Sequence, residues 1–237
     1  MKITVINGTE KHGVTYHLKE EFLKGFPGAT VTEYYLPKDC PNFCMGCVSC
    51  VLRGEKQCKD VEYIQKIDAS FKEADLLVFT SPAYVAHTTG AMKTLLDHFA
   101  YRWMPHRPMK EMFRKHAVII TQSLGAGEKS AAKDIADSLS WWGVTDIKKI
   151  SFKLMSEINW DKLPQKRKRK MLSALSCLAA KLQKRATKPA KAGLVAKLKF
   201  YVVRMMQKSF GKKDPEYTDF KYWKQNGWID KVRPWKD

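Results

Sequence analysis

Two hydrophobic periods alternate over the first 155 residues. Residues 2–6, 30–36, 74–80, 117–123 and 147–152 are short runs rich in β-branched, aliphatic and aromatic side chains, and they predict five strands. Between them apolar positions fall at helical spacing: Leu18, Phe22 and Leu23 within 16–25, Ile64, Ile67 and Phe71 within 61–71, and Leu95, Leu96 and Phe99 beyond Lys93. A further helix over 131–142 ends at Gly143, and Gly25 and Pro27 stop the first one. The unbroken run Leu76-Leu77-Val78-Phe79 suits a strand covered on both faces, as in a parallel sheet. Strand and helix in alternation predict an α/β fold, a doubly wound parallel sheet.

The pattern changes after residue 155, which divides an α/β domain (1–155) from an extension (156–237). Met171, Leu175, Leu178 and Leu182 mark one amphipathic helix over 163–184. Leu194, Leu198, Tyr201, Val202 and Met205 mark a second over 190–210, with Lys197, Arg204 and Lys208 grouped opposite. Such faces pack on the core, pair between subunits or lie on a membrane. The tail carries Tyr222, Trp223, Trp228 and Trp235, an aromatic density expected to bury against the domain or a partner subunit.

Composition refines this picture. The hydrophobic fraction of 44% is ample for a core. No run of eighteen apolar residues occurs and the chain enters a strand at once, so a soluble cytosolic protein is expected. The net charge of +19 is concentrated: residues 162–213 hold 17 Lys/Arg and no Asp or Glu, leaving a net +2 elsewhere. An anionic partner, an acidic protein or an anionic membrane surface, would be met by that block, whereas no nucleic-acid motif accompanies it.

The candidate chemistry lies in loops at strand ends. After the first strand, Gly8 and Gly13 permit close backbone approach, Thr9, Thr15 and Tyr16 offer hydroxyls, and Lys11 offers charge, a set suited to one phosphate at a helix start. The spacing is neither a Walker loop nor Gly-x-Gly-x-x-Gly. The third strand ends in Ser81-Pro82-Ala83-Tyr84 and the fourth in Ser123 with Gly125 and Gly127, and open α/β sheets bind ligands at this carboxyl edge. Residues 103–113, rich in Met and aromatics, are expected as a loop shaping the mouth of the site. Cys44, Cys47, Cys50 and Cys58 fall as C-x2-C-x2-C-x7-C with Cys40 just upstream. That spacing admits a four-iron cluster, a zinc ion, or a structural or redox-active thiol loop.

Asn7-Gly8-Thr9 with Lys11, Gly13 and Thr15, followed by Ser81-Pro82-Ala83-Tyr84 and a Lys93-x3-Asp97 helix, resembles the flavodoxin-like NAD(P)H-dependent FMN reductase family. The cysteine spacing is similar to that of its iron-sulfur flavoprotein branch. Val14 stands where many members have Asn. The resemblance implies a strand order 2-1-3-4-5 and an FMN whose phosphate is held by Thr9, Lys11, Gly13, Thr15 and Tyr16. Ser81, Pro82, Ala83, Tyr84, Ser123, Gly125 and Gly127 would then frame its ring. It further implies a homodimer and hydride transfer from NADH or NADPH to the flavin N5. No protein base is needed there, so neither His98 nor His106 is assigned a role. The electrons would pass to a quinone, a nitro compound, free flavin or a protein carrier. An electron carrier without NAD(P)H activity is the alternative, against which the length and basic charge of the chain count, and a flavin-free scaffold for the basic arm is a third reading.

Overall fold

The computed structural model describes residues 1–155, 157 and 159–236. Five strands, β1 (Lys2–Asn7), β2 (Thr30–Tyr35), β3 (Leu76–Pro82), β4 (His116–Ser123) and β5 (Asp146–Lys153), form one sheet. The order is β2-β1-β3-β4-β5 and all four pairings are parallel, the topology expected from the sequence. β3 is buried along its whole length, as its unbroken apolar run requires. It also extends further than expected: Ser81 and Pro82 pair with Thr121 and Gln122, so the Ser-Pro step belongs to the strand.

Helices α1 (Val14–Leu23), α2 (Ser49–Leu52), α3 (Val61–Glu73), α4 (Gly90–His98), α5 (Glu128–Trp142), α6 (Gln165–Arg185), α7 (Leu194–Lys213) and α8 (Thr218–Gln225) surround the sheet. One core layer joins Ile64, Ile67 and Phe71 of α3, Leu95 of α4 and Ile135 of α5 to Ile6, Phe79 and Ile119. The opposite layer joins Leu18 and Phe22 of α1 to Val5, Val78 and Val118, and it includes Met171, Leu175, Ala179 and Leu182 of α6. The contact between α1 and α6 is close. A Cβ on Gly25 would stand 2.4 Å from that of Ala179, so Gly25 does more than end a helix.

A third cluster gathers Phe200 and Val203 of α7 with Trp223, Trp228, Met104 and Phe113. The tail aromatics therefore bury against the domain, with Trp223 stacked on Phe200 at 4.9 Å between ring centroids. Residues 103–113 are the floor on which this cluster sits. They do not shape the mouth of the cavity described next, because their Met and aromatic side chains are taken up by the core and by the tail.

Candidate functional site

Three loops at the carboxyl edge of the sheet enclose a cavity of about 370 Å³. Thr9, Lys11, Gly13, Val14 and Thr15 line it from the first loop, Pro82, Ala83, Tyr84, Val85 and Ala86 from the second, and Gln122, Leu124, Gly125 and Ala126 from the third. Segments separated by more than a hundred residues thus meet at one rim, at the β1/β3 switch point of the strand order where such sheets bind ligands.

The first loop leaves β1 through Gly8, whose N–H donates to the Thr80 carbonyl at 2.7 Å. An added Cβ there would lie 2.9 Å from that same oxygen. α1 begins earlier than the sequence pattern predicts, which brings Thr15 and Tyr16 into its first turn. That turn contains no acidic residue and no side-chain cap, so its N–H groups and positive dipole end remain directed at the cavity beside Lys11. Tyr16 itself does not line the cavity; it stacks on His12 at 4.1 Å between centroids.

Beneath this loop lies a buried ion pair. Lys19, fully buried, donates to Glu33 at 2.7 Å and to Glu20, while Asn7 and Tyr35 also donate to Glu33, at 3.0 and 2.8 Å. Burial alone would raise the Glu33 pKa, but the hydrogen bonds from Lys19, Tyr35 and Asn7 hold it below the usual range. The network fixes α1 to β1 and β2 directly behind the phosphate-binding candidate.

The second loop is a tight hairpin. Tyr84 and His87 exchange two backbone hydrogen bonds, at 2.9 and 3.0 Å, and the two residues between them, Val85 and Ala86, have φ of 48° and 65°. Two consecutive left-handed residues define a type I′ turn, a place where Asn-Gly is the usual sequence. Ser81 stands behind this loop, its Oγ accepting from the Thr88 hydroxyl at 2.9 Å and the Thr89 N–H at 3.2 Å. The Thr88 N–H donates to Asp134 of α5 at 3.0 Å.

The third loop is tied on both sides. Gln122 O accepts from the Ala83 N–H at 2.7 Å, and Ser123 O and Leu124 O accept from the N–H groups of Leu154 and Met155 at 2.8 and 2.7 Å. The Ser123 hydroxyl donates to Glu128 at 2.7 Å, and Gly127, at φ 100°, caps α5 so close to the second loop that a Cβ would stand 2.4 Å from Ala86 Cα. Ser81, Ser123 and Gly127 therefore sit outside the lining and hold the lining loops in place. Leu124 and Ala126 belong to the turn expected to meet the ring, whereas Val85, Ala86 and Gln122, which the sequence did not single out, are apolar or neutral neighbours of the motifs with no chemical signature to mark them.

The set fits FMN in its chemistry. One end offers a cation, hydroxyls and an uncapped helix start; the other offers an apolar wall with Tyr84 at its rim and backbone groups at its edge.

The cysteines form a second cluster. Left-handed backbone at Gly46, Val48 and Gly54 winds the segment so that the thiols gather. Burial first, and then the neighbouring Cys58, Cys44 and Cys47, push the Cys50 thiol up, and Cys58 is raised by burial with Asp60, Cys44 and Cys47 adding to it. Cys50 and Cys58 thus feel the charge of the other thiols of the segment, and the closest gathering of metal-ligating atoms there, among the described residues, is that of Cys58, Asp60 and His98, within 4.8 Å of one another. Cys47, fully exposed, is instead lowered, chiefly by the Ser49 N–H. Cys40 is buried, and burial followed by Asp60 and Cys58 pushes its thiol up to about 12. All six cysteines are free.

Buried side chains support the segment. His98 Nε2 lies 2.8 Å from the Asn42 carbonyl and its Nδ1 lies 3.9 Å from Cys58 Sγ. Arg107, also buried, donates to the carbonyls of Cys50 and Val51 and to Glu55 and Asp219. Four thiols on one segment are the donor set that an iron-sulfur cluster takes, and a bound metal would draw off their protons.

Solved structures share the fold. An azoreductase from Bacillus anthracis superposes with a TM-score of 0.56 at 17% identity, over 78% of this chain and 99% of that one. An FMN-dependent NADH-azoreductase from the same species, solved with FMN, gives 0.54 at 16% over 76% of this chain and 100% of the other. In sequence the chain is similar to an iron-sulfur flavoprotein of Archaeoglobus fulgidus, 24% identical over 149 residues, 61% of this chain and 64% of that protein. It is also similar to one of Clostridioides difficile, 30% identical over 129 residues, 51% and 53% of the two. The chain spans between about half and two thirds of the length of these curated relatives. Residues 1–157 match the sequence model of the NADPH-dependent FMN reductases, and the chain belongs to that family.

Proposed function

We propose that this chain is an FMN-dependent oxidoreductase that takes electrons from NADH or NADPH and delivers them to a small-molecule or protein acceptor. The observation that carries the reading is the convergence of Lys11, Thr15, Tyr84 and Gly125 on one cavity. Thr9, Lys11, Thr15 and the first N–H groups of α1 would hold the phosphate, with Gly13 leaving room for it. Pro82, Ala83, Tyr84, Leu124 and Gly125 would hold the ring, and the strand-end hydrogen bonds of Ser81 and Ser123 would keep both loops rigid. When bound, FMN supplies the redox chemistry; the protein contributes position, an anion site and a partly dry wall.

The clustered thiols favour one addition. Cys44, Cys47, Cys50 and Cys58 would ligate an iron-sulfur cluster, making the chain an iron-sulfur flavoprotein that passes single electrons to a protein carrier. An absorption spectrum with iron and flavin analysis, followed by steady-state oxidation of NADH and NADPH with a quinone acceptor, tests both parts. FMN near one per chain with turnover supports the oxidoreductase. Bound FMN without turnover on either nucleotide leaves an electron carrier, and a protein that takes up no flavin ends the proposal.

A further inference from the structure

α7 is apolar on two sides. Its inward side, Ala196, Phe200, Val203, Gln207 and Gly211, is buried against the domain and the tail. The residues that the sequence pattern groups as its apolar stripe point the other way. Leu194, Val195, Leu198 and Met205 are 84%, 64%, 66% and 65% exposed, and Val202 lies between them at 44%. A helix whose core-facing side is already filled ordinarily turns polar side chains to water, so this second face is built to be covered.

Charge identifies what covers it. The twenty residues of α7 include Lys197, Lys199, Arg204, Lys208, Lys212 and Lys213 and no carboxylate. At 100° per residue, Lys197, Arg204 and Lys208 form one flank of the exposed stripe. Tyr201 and Phe210, both partly exposed, stand at its two borders. Two copies of this face brought together would oppose cation to cation with no acid on either helix to offset them. A surface with an apolar interior and an anionic margin matches the stripe and its flank at once. That is the chemistry of an acyl layer beneath acidic headgroups.

We propose that α7 seats this protein on anionic bilayers, its axis in the plane of the surface and Leu194, Leu198, Val202 and Met205 inserted below the headgroups. The contact is peripheral: among the described residues no helix is long and apolar enough to cross a membrane. The inference stands apart from the redox reading, since it uses no residue of the cavity.

Flotation of the full chain with phosphatidylcholine vesicles, and with vesicles that also contain phosphatidylglycerol, tests it. Binding should be at least about tenfold tighter to the anionic vesicles and should weaken as salt is raised. Leu198→Gln with Met205→Gln should abolish it while leaving the melting temperature and the elution volume unchanged. Lys197→Gln with Lys208→Gln should reduce the preference for anionic lipid. No vesicle binding, equal binding to both lipids, or a double Gln variant that binds as before would overturn the proposal. So would a wild-type dimer that Leu198→Gln with Met205→Gln dissociates, because the stripe would then be a subunit interface.

Discussion

The hydroxyl of Thr89 donates to the carbonyl oxygen of Gly8 at 2.6 Å, and the Thr89 Oγ1 itself accepts the Met92 N–H at 3.1 Å. One side chain thereby caps α4 and locks the second loop of the cavity to the first. Replacing Thr89 with Val removes the cap and the tie but keeps the bulk. The expected cost is about 1–2 kcal/mol in stability with weaker FMN binding, read by chemical denaturation and by flavin fluorescence titration. Gly8→Ala should be worse, about 1–3 kcal/mol, since its methyl group meets the backbone of Thr80.

The Val85-Ala86 turn stores strain at the cavity mouth, because a β-branched residue and an alanine occupy positions suited to Asn-Gly. Substituting Asn-Gly should stabilise the protein by about 1–2 kcal/mol in thermal or denaturant unfolding. It should also raise KM for the acceptor if Val85, 96% exposed, is part of the surface the acceptor meets. An unchanged melting temperature would show that the turn is not strained.

Sequence alone made these loops visible unevenly. The strands and the first loop were legible because unbroken aliphatic runs and the Gly8, Thr9, Lys11, Gly13 and Thr15 pattern are local signals, while the strand order came from the family resemblance. The Val85-Ala86 turn carries no Gly or Asn, and Thr89 acts on a partner eighty residues away, so neither announced itself. α7 was legible only as an apolar face with three possible neighbours: its strongest periodicity marks the exposed side, because the buried side is built from Ala196, Gln207 and Gly211 around Phe200 and Val203. Periodicity reports that a face is apolar, and only packing reports what it faces.

Arg107 organises the cysteine segment through buried bonds to Cys50, Val51, Glu55 and Asp219. Arg107→Met takes the guanidinium from buried Asp219, which among the described residues keeps only His106 and Tyr217 as side-chain partners, and frees two carbonyls. A loss of about 3–5 kcal/mol in unfolding is expected, with faster reaction of Cys50 and Cys58 toward a thiol reagent. Loss of bound iron alongside would support the cluster reading.

Lys115 is buried, and burial pushes its pKa down to about 8, although its Nζ donates to the carbonyls of Lys72, at 2.9 Å, and Ala74. The unfolded chain therefore holds a proton that the folded one has released between about pH 8 and 10.5, and stability should rise with pH across that window. Denaturant unfolding at pH 7.5 and 9.5, as about the two ends of the accessible range, should show this rise in wild type and its absence in Lys115→Met.

The central claim is that the first loop grips a phosphate while the other two hold the ring that the phosphate is attached to. Dissociation constants of the flavin-free protein for FMN and for riboflavin, measured by fluorescence quenching, address it directly. FMN should bind about a hundredfold more tightly, and Lys11→Gln with Thr15→Val should remove most of that difference while leaving riboflavin affinity unchanged. Equal affinities for the two flavins would contradict the account.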